Sequence, residues 1–573
     1  MRTSKMFAAL TLLFVSGIFV CPVQAKFSFG VFDNLPVISP ITAEGEIIAS
    51  LDFDPQVNGF SFRNYGGDHD GSEDLDAADL IRMFGADKVC IEGSTAADCV
   101  LYETAEQWAE NQIESMNGGH CDGFSVTSLN LFVEQPFRGK ANAAQWQKGA
   151  ESPFDLEFTP QIANFIAYHH VLQMLPEVST FRMKSFTYPP SQILTLIAES
   201  FAEGSKDLYT LGIGMRVNGE YTRGHSIVPF AIEETGVDKY LIHVYDNNFP
   251  GQTKYVTVDT KTESWRYRTA SDPNDTARDY VGNKQTQTMS LKKLSDRNRR
   301  KFSCPFSEET EEEEAGGASD EIDGEEIYIS MDGQGSLLLT DPNGKRIGFD
   351  AVKNVEVNEI AGAQIAYADG GLDANLPPEY TLPFLPMAKK PYSIQISGKN
   401  LKKETDNSLA IAGPGFVVGL GGILLDPNEN LTVSFAPDFE SITFTASADG
   451  ETPALYFTTD DGPNEPSYSF EIGGVAIDAG KTLTMTVDVD AGKIFFVDND
   501  GNEDAYDLEI EMTNPDGTKI KFTSNDLKFE GKDSYQVDFS KWDGKTKPCV
   551  EDDDDGDGFA DETCGDAETE EDK

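Results

Sequence analysis

Apolar residues recur three and four apart over residues 75–84 and 104–116, and this spacing predicts two amphipathic helices. A third apolar stretch, 126–132, follows a glycine-rich turn and reads as a buried helix. Two more helical patterns cover 160–175 and 189 to about 202, the latter led by Pro189 and Pro190, which a first helical turn tolerates. Beyond residue 207 the pattern shortens to strands at 208–215, 226–233, 240–245, 255–258 and 264–268. Helices first and strands later is an α+β signature. Residues 307–326 are acidic, with no lysine or arginine, and predict an extended linker.

From 327 to about 539 short alternating runs are separated by turn sequences such as Asp341-Pro342-Asn343-Gly344, Asp449-Gly450 and Pro515-Asp516-Gly517. This predicts an all-β part, one or two sandwiches, divided near Lys403. The apolar run 409–425 is interrupted by Pro414 and five glycines, so it predicts packed core strands and not a membrane span. The whole chain is therefore expected to be multidomain: 26–300 α+β, 301–326 linker, 327–403 and 404–545 β-domains, and 546–573 an acidic tail.

At the other end, residues 6–20 form an apolar run behind the basic Met1-Arg2-Thr3-Ser4-Lys5, and Val23-Gln24-Ala25 has the small-x-small form of a cleavage site. Residues 1–25 thus predict a signal peptide, no membrane span after its removal, and a secreted, periplasmic or cell-surface product. The formal net charge of -53 argues against nucleic acid or anionic lipid as a partner.

Export makes the cysteines informative, because an oxidising compartment favours disulfides. Cys90 and Cys99 flank a short polar segment, and Cys549 and Cys564 bracket an aspartate-rich run; each pair can close a disulfide. Cys121 and Cys304 remain, either free or bridged to each other. Asp553, Asp555, Asp557 and Asp561 sit at positions 1, 3, 5 and 9 of a loop with Gly558 at position 6, an oxygen-rich pattern suited to structural calcium. With Cys564 at position 12, the run resembles a thrombospondin type 3-like calcium repeat more than an EF-hand. Residues 68–74 read as a solvated acidic turn.

Candidate chemistry centres on Gly118-Gly119-His120-Cys121-Asp122-Gly123-Phe124. A thiol at a helix N-terminus meets unpaired N–H groups and the positive end of the helix dipole, both of which favour thiolate. His225 leads an apolar strand and Asp246 ends the next, so Cys121, His225 and Asp246 can serve as nucleophile, base and orienter. His120, His243 and the pair His169-His170 read as structural.

Gly119-His120-Cys121-Asp122-Gly123-Phe124 opening a helix, Gly224-His225 opening a strand, and Val244-Tyr245-Asp246-Asn247-Asn248 closing the next resemble the papain-like cysteine peptidase superfamily, with the flavour of bacteriocin-processing-type peptidases. The resemblance covers about residues 80–270. It implies a papain-like domain, a protein or peptide substrate, Cys121 as nucleophile, His225 as base and then acid, and Asp246 as orienter, with Asn248 as runner-up. A glutamine is usual about six residues before the cysteine, as oxyanion donor; Ser115 stands there, and Asn117 is the nearest amide to replace it. The expected function is an exported cysteine peptidase or related amide hydrolase, whose β-domains supply targeting or a cell-surface partner. The alternatives are a transglutaminase-like acyltransferase and a non-catalytic surface protein.

Overall fold

A computed structural model describes residues 45–66, 75–205, 207–269, 279–307, 325–371, 376–460, 462, 465–489, 491–499, 503–530, 534–539, 542 and 548–553. The leader 1–25, the acidic turn 68–74 and most of the linker therefore lie outside the described residues. So do Asp555, Asp557, Asp561 and Cys564; of Asp553 only the backbone is described, ending the strand Cys549–Asp553.

The helices are α1 (Ala77–Phe84), α2 (Ala86–Val89), α3 (Glu103–Ser115), α4 (Cys121–Phe132), α5 (Ala143–Trp146), α6 (Pro160–Val171), α7 (Pro176–Phe186), α8 (Pro190–Ser200) and α9 (Leu294–Arg297). Their starts follow local rules. Asp76 caps α1 in a reciprocal box with Asp79, Thr159 accepts from Ile162 N to start α6, and α6, α7 and α8 each begin on a proline. The helix α4 is buried on every side. Gly123 makes this packing possible, since a Cβ there would lie 2.1 Å from the Ile166 carbonyl oxygen of α6.

The first sheet contains β1 (Glu46–Ser50), β4 (Tyr209–Val217), β5 (Glu220–Gly236), β6 (Lys239–Tyr245), β7 (Thr253–Asp259), β8 (Ser264–Tyr267), β9 (Tyr280–Asn283) and β10 (Met289–Lys293); a separate short ribbon pairs β2 (Cys90–Glu92) with β3 (Val100–Leu101). Its order is β10-β4-β5-β6-β7-β8-β9, with β1 against β5. The expected Cys90–Cys99 disulfide is formed beside the ribbon, and Cys121 is not bridged to Cys304.

The later strands form one nine-stranded and one ten-stranded antiparallel sheet with a shared apolar core between them. Both sheets run through position 403. The strand β11 (Glu326–Asp332) pairs with Thr405–Gly413, and Tyr392–Ser397 pairs with Asn430–Phe435. The run 409–425 is a hairpin of two core strands, Thr405–Gly413 and Phe416–Leu425. Over residues 409–420 both faces are covered: Leu409, Ile411, Val418 and Leu420 point into the sandwich, while Ala412 and Val417 join the core around α3. The molecule is thus mixed α+β with a large β-rich part.

Candidate active site

Three elements carry the expected trio. Cys121 is the first residue of α4, His225 lies in β5, and Asp246 follows β6, which pairs with β5 so that Tyr245 stands opposite Val228. All three side chains are fully buried. The His225 ring donates from Nε2 to Asp246 Oδ1 at 2.9 Å, because an ionised carboxylate can only accept. In the neutral ring this leaves the lone pair on Nδ1, which has no hydrogen-bond partner among the described residues.

Asp246 is held from several directions. Asn248 N donates to its Oδ1 at 2.8 Å and the Tyr267 hydroxyl donates to its Oδ2. Burial pushes the Asp246 carboxyl up, but the facing His225 and these hydrogen bonds outweigh it and hold it below the usual carboxylate range. Asn247, also buried, donates from Nδ2 to the Cys121 carbonyl (3.0 Å) and so ties the end of β6 to the start of α4. The Asn248 side chain stands 3.5 Å from His225 Nε2, beside the His–Asp bond.

The thiol of Cys121 differs from expectation. Burial, and then the charge of Asp369, push it well above its ordinary value, against the stabilising N–H of Ser226, 3.3 Å from Sγ. A helix dipole acts only over its first turn and is weaker than full desolvation. Cys121 is therefore held as a thiol, donating to the Asp369 carbonyl at 3.1 Å.

Asp369 belongs to a strap, residues 367–371, that leaves the nine-stranded sheet after Gln364–Ala366 and lies buried across Cys121. The Gly370 carbonyl accepts from Cys121 N (3.2 Å) and from Asn64 Nδ2 (3.0 Å). Gly371 N donates to the Gly224 carbonyl at 3.2 Å, next to His225. The strap is anchored by Gln173 Oε1, which accepts from Asp369 N (2.7 Å), and by Arg182, which donates to the Tyr367 carbonyl.

The Asp369 carboxylate enters a fully buried charge cluster. It pairs with Arg182 (2.6 Å) and Lys292 (2.5 Å); Lys292 also pairs with Asp122 (2.5 Å), and Arg297 completes the set on Asp122. Burial raises the Asp122 carboxyl, but Arg297 and Lys292 overcome this and hold it strongly ionised. The base of α4 and the strap are in this way fastened to one group of cations.

No family model matches this chain, and no curated protein or solved structure matches it.

The amide at the site is Asn64, not Asn117. Asn117 is exposed in the 3-10 turn Met116–Gly118, beyond the last α-helical turn of α3. Asn64 comes from an irregular segment far upstream, and its Oδ1 accepts from His120 N at 2.8 Å. That bond fixes the amide orientation, so Nδ2 must point at the Gly370 carbonyl. No spacing rule relates Asn64 to Cys121; a polar residue in a stretch with aromatic residues on both sides, Phe60, Phe62 and Tyr65, is the only trace.

The other described histidines have packing partners. The ring of His120 stacks on Tyr65 with its Nδ1 3.0 Å from the Tyr65 carbonyl, and His243 faces Glu233 at 2.8 Å. His169 and His170 are both buried, although neighbours on a helix point about 100° apart, because α6 is covered nearly all round. His169 meets Asn130 Nδ2 at 3.1 Å and His170 meets Gln173 Nε2.

Proposed function

We propose that the chain is an exported cysteine peptidase or related amide hydrolase of papain-like type, with Cys121, His225 and Asp246 as its triad. The observation that carries this reading is the peptide carbonyl held by Cys121 N and Asn64 Nδ2 beside a buried His225–Asp246 hydrogen bond. Two donors converging on one carbonyl oxygen form the arrangement that stabilises a tetrahedral oxyanion.

In the reaction, His225 Nδ1 takes the Cys121 proton and the thiolate attacks the substrate carbonyl carbon. Negative charge develops on the oxygen between Asn64 and Cys121 N. The C–N bond breaks, the departing amine takes the proton from His225, and water then hydrolyses the thioester by the same base. Asp246 stays ionised and holds the imidazole in the required tautomer. The Cys90–Cys99 disulfide supports an oxidising destination. Asp553, Asp555, Asp557 and Asp561 support structural calcium in the tail, to be checked by calorimetric titration with CaCl2 before and after Asp557→Ala; unchanged heats would remove it.

The burial of Cys121 favours one competing reading, a surface protein whose papain-like part does no chemistry. The test is iodoacetamide labelling of Cys121 against pH, located by mass spectrometry, in Asp369→Asn, which loosens the strap. Labelling that persists well below about pH 8.5 and is lost on adding His225→Ala is the expected result. Labelling that stays slow at every pH, with or without His225, would leave the non-catalytic reading.

A further inference from the structure

The strap presents a peptide bond to Cys121 in the manner of a substrate. Both ends of a single peptide group of the strap are held by the elements that carry Cys121 and His225. Its oxygen, on Gly370, is held by Cys121 N and Asn64 Nδ2; its N–H, on Gly371, is held by the Gly224 carbonyl beside the base. The carbon of that peptide is the electrophile the two donors would activate, and its nitrogen, the leaving group, is bound to the residue just before His225. Absence of side chains matters here. A Cβ on Gly371 would lie 2.8 Å from Asn64 Nδ2, and one on Gly224 would meet Asp369 Oδ1 at 2.3 Å and the Ala368 carbonyl at 2.4 Å.

We propose that the chain's own Gly370–Gly371 peptide bond is a substrate of this site, and that the protein cuts itself there. The inference rests on the triad reading above. His225 takes the proton that Cys121 now donates to the Asp369 carbonyl. The thiolate adds to the Gly370 carbon, the Gly370–Gly371 bond breaks, and His225 returns the proton to the new Gly371 amine. Water hydrolyses the thioester, leaving a Gly370 carboxylate and the free thiol.

The two pieces stay together after the cut. β11 and Gln364–Ala366, upstream of the cut, pair with Glu379–Pro383, downstream of it, and β11 also pairs with Thr405–Gly413. Ser336–Thr340 pairs across the cut with Tyr392–Ser397. Cleavage therefore nicks a sandwich without dividing it. What it frees is the Gly371 end of the strap, which no longer crosses the site, while Arg182 and Lys292 retain Asp369.

The experiment is denaturing intact-mass analysis of the purified full chain, immediately and after incubation between pH 5 and 9. Wild type, Cys121→Ala, Cys121→Ser and Gly371→Pro are compared, the last removing the N–H held by Gly224. The expected result is two fragments from wild type, the second beginning at Gly371, that co-elute under native conditions, with all three variants at least a hundredfold slower to cut. Cutting in Cys121→Ala and Cys121→Ser at the wild-type rate would overturn the proposal by assigning the scission to another protease. Wild type that stays whole at every pH, while Cys121 labels fast and His225-dependently in Asp369→Asn, would overturn self-cleavage and leave the peptidase reading standing, with the strap as a plug. Whole wild type with an inert Cys121 would remove both.

Discussion

In the sandwich, strands such as Thr482–Asp488 and Lys493–Asp498 alternate buried with half-buried or exposed positions, and the residues between the sheets are aliphatic, aromatic or methionine. Around Cys121 the interior is different. His225, Asp246, Asn247, Asp122, Asp369, Arg182, Lys292 and Arg297 are all buried, and their charges and hydrogen-bonding atoms face one another. Apolar burial stabilises in proportion to area and needs no exact partner. A buried charge costs several kcal/mol unless each partner is in place, so it holds its neighbours to one geometry. The first region gives mass and stability; the second gives position. They meet in the strap, which is part of the sandwich by sequence and part of the Cys121 site by contact.

This contrast can be broken in order of size. Asp246→Asn removes the orienting charge, and the rate of Cys121-dependent peptide hydrolysis should fall about 10⁴-fold while the thermal melt of the sandwich changes little. Arg182→Ala leaves Asp369 short of a partner in the interior, and urea unfolding should show a loss of about 3–5 kcal/mol together with faster labelling of Cys121. Leu420→Ala opens a cavity in the sandwich core and should cost a comparable 2–5 kcal/mol, at roughly the scale of buried leucine truncations, without changing the pH profile of Cys121 labelling. If both substitutions altered that profile equally, the distinction between the two regions would fail.

Smaller effects sharpen it. Asn64→Ala should slow hydrolysis about a hundredfold or more by removing one oxyanion donor, while Asn117→Ala leaves the rate unchanged. Iodoacetamide labelling of the opened chain should be nearly the same in both, since labelling forms no oxyanion. The last effect is in acid. The Asp246 carboxyl lies below its ordinary 3.8 in the folded protein, so the stability it contributes is present above about pH 4 and lost as pH falls through the folded value. The stability difference between wild type and Asp246→Asn, from urea titrations at several pH values, should therefore shrink below pH 4 and stay constant above it.

Much of the fold is legible because local pattern and tertiary role agree. Apolar spacing gives α1, α3, α6 and α8, and the turn sequences mark the hairpins of the sandwich. The helix α7 escapes such reading because the residues it buries include Ser179, Arg182 and Ser185 alongside Val178 and Phe186. Its inward face is polar because it meets Asp369, a partner visible only once the chain is folded. The continuity of both sheets past Lys403 is hidden for a similar reason, since antiparallel pairing between distant strands leaves no mark on composition. Asn64 and the strap fail the eye differently: one lies in an irregular segment, and Gly370-Gly371 looks like one more turn among many.

The sequence alone determined the order Cys121, His225, Asp246 and the local setting of each, because a glycine turn before a helix and apolar runs with polar ends are set by neighbouring residues. It also determined the Cys90–Cys99 closure through its short spacing. The tertiary structure decided what lies against the thiol and how it is protonated. A helix dipole reaches one turn, whereas desolvation comes from packing on every side of the thiol and the charge of Asp369 from a residue 248 positions away, and these non-local effects prevail.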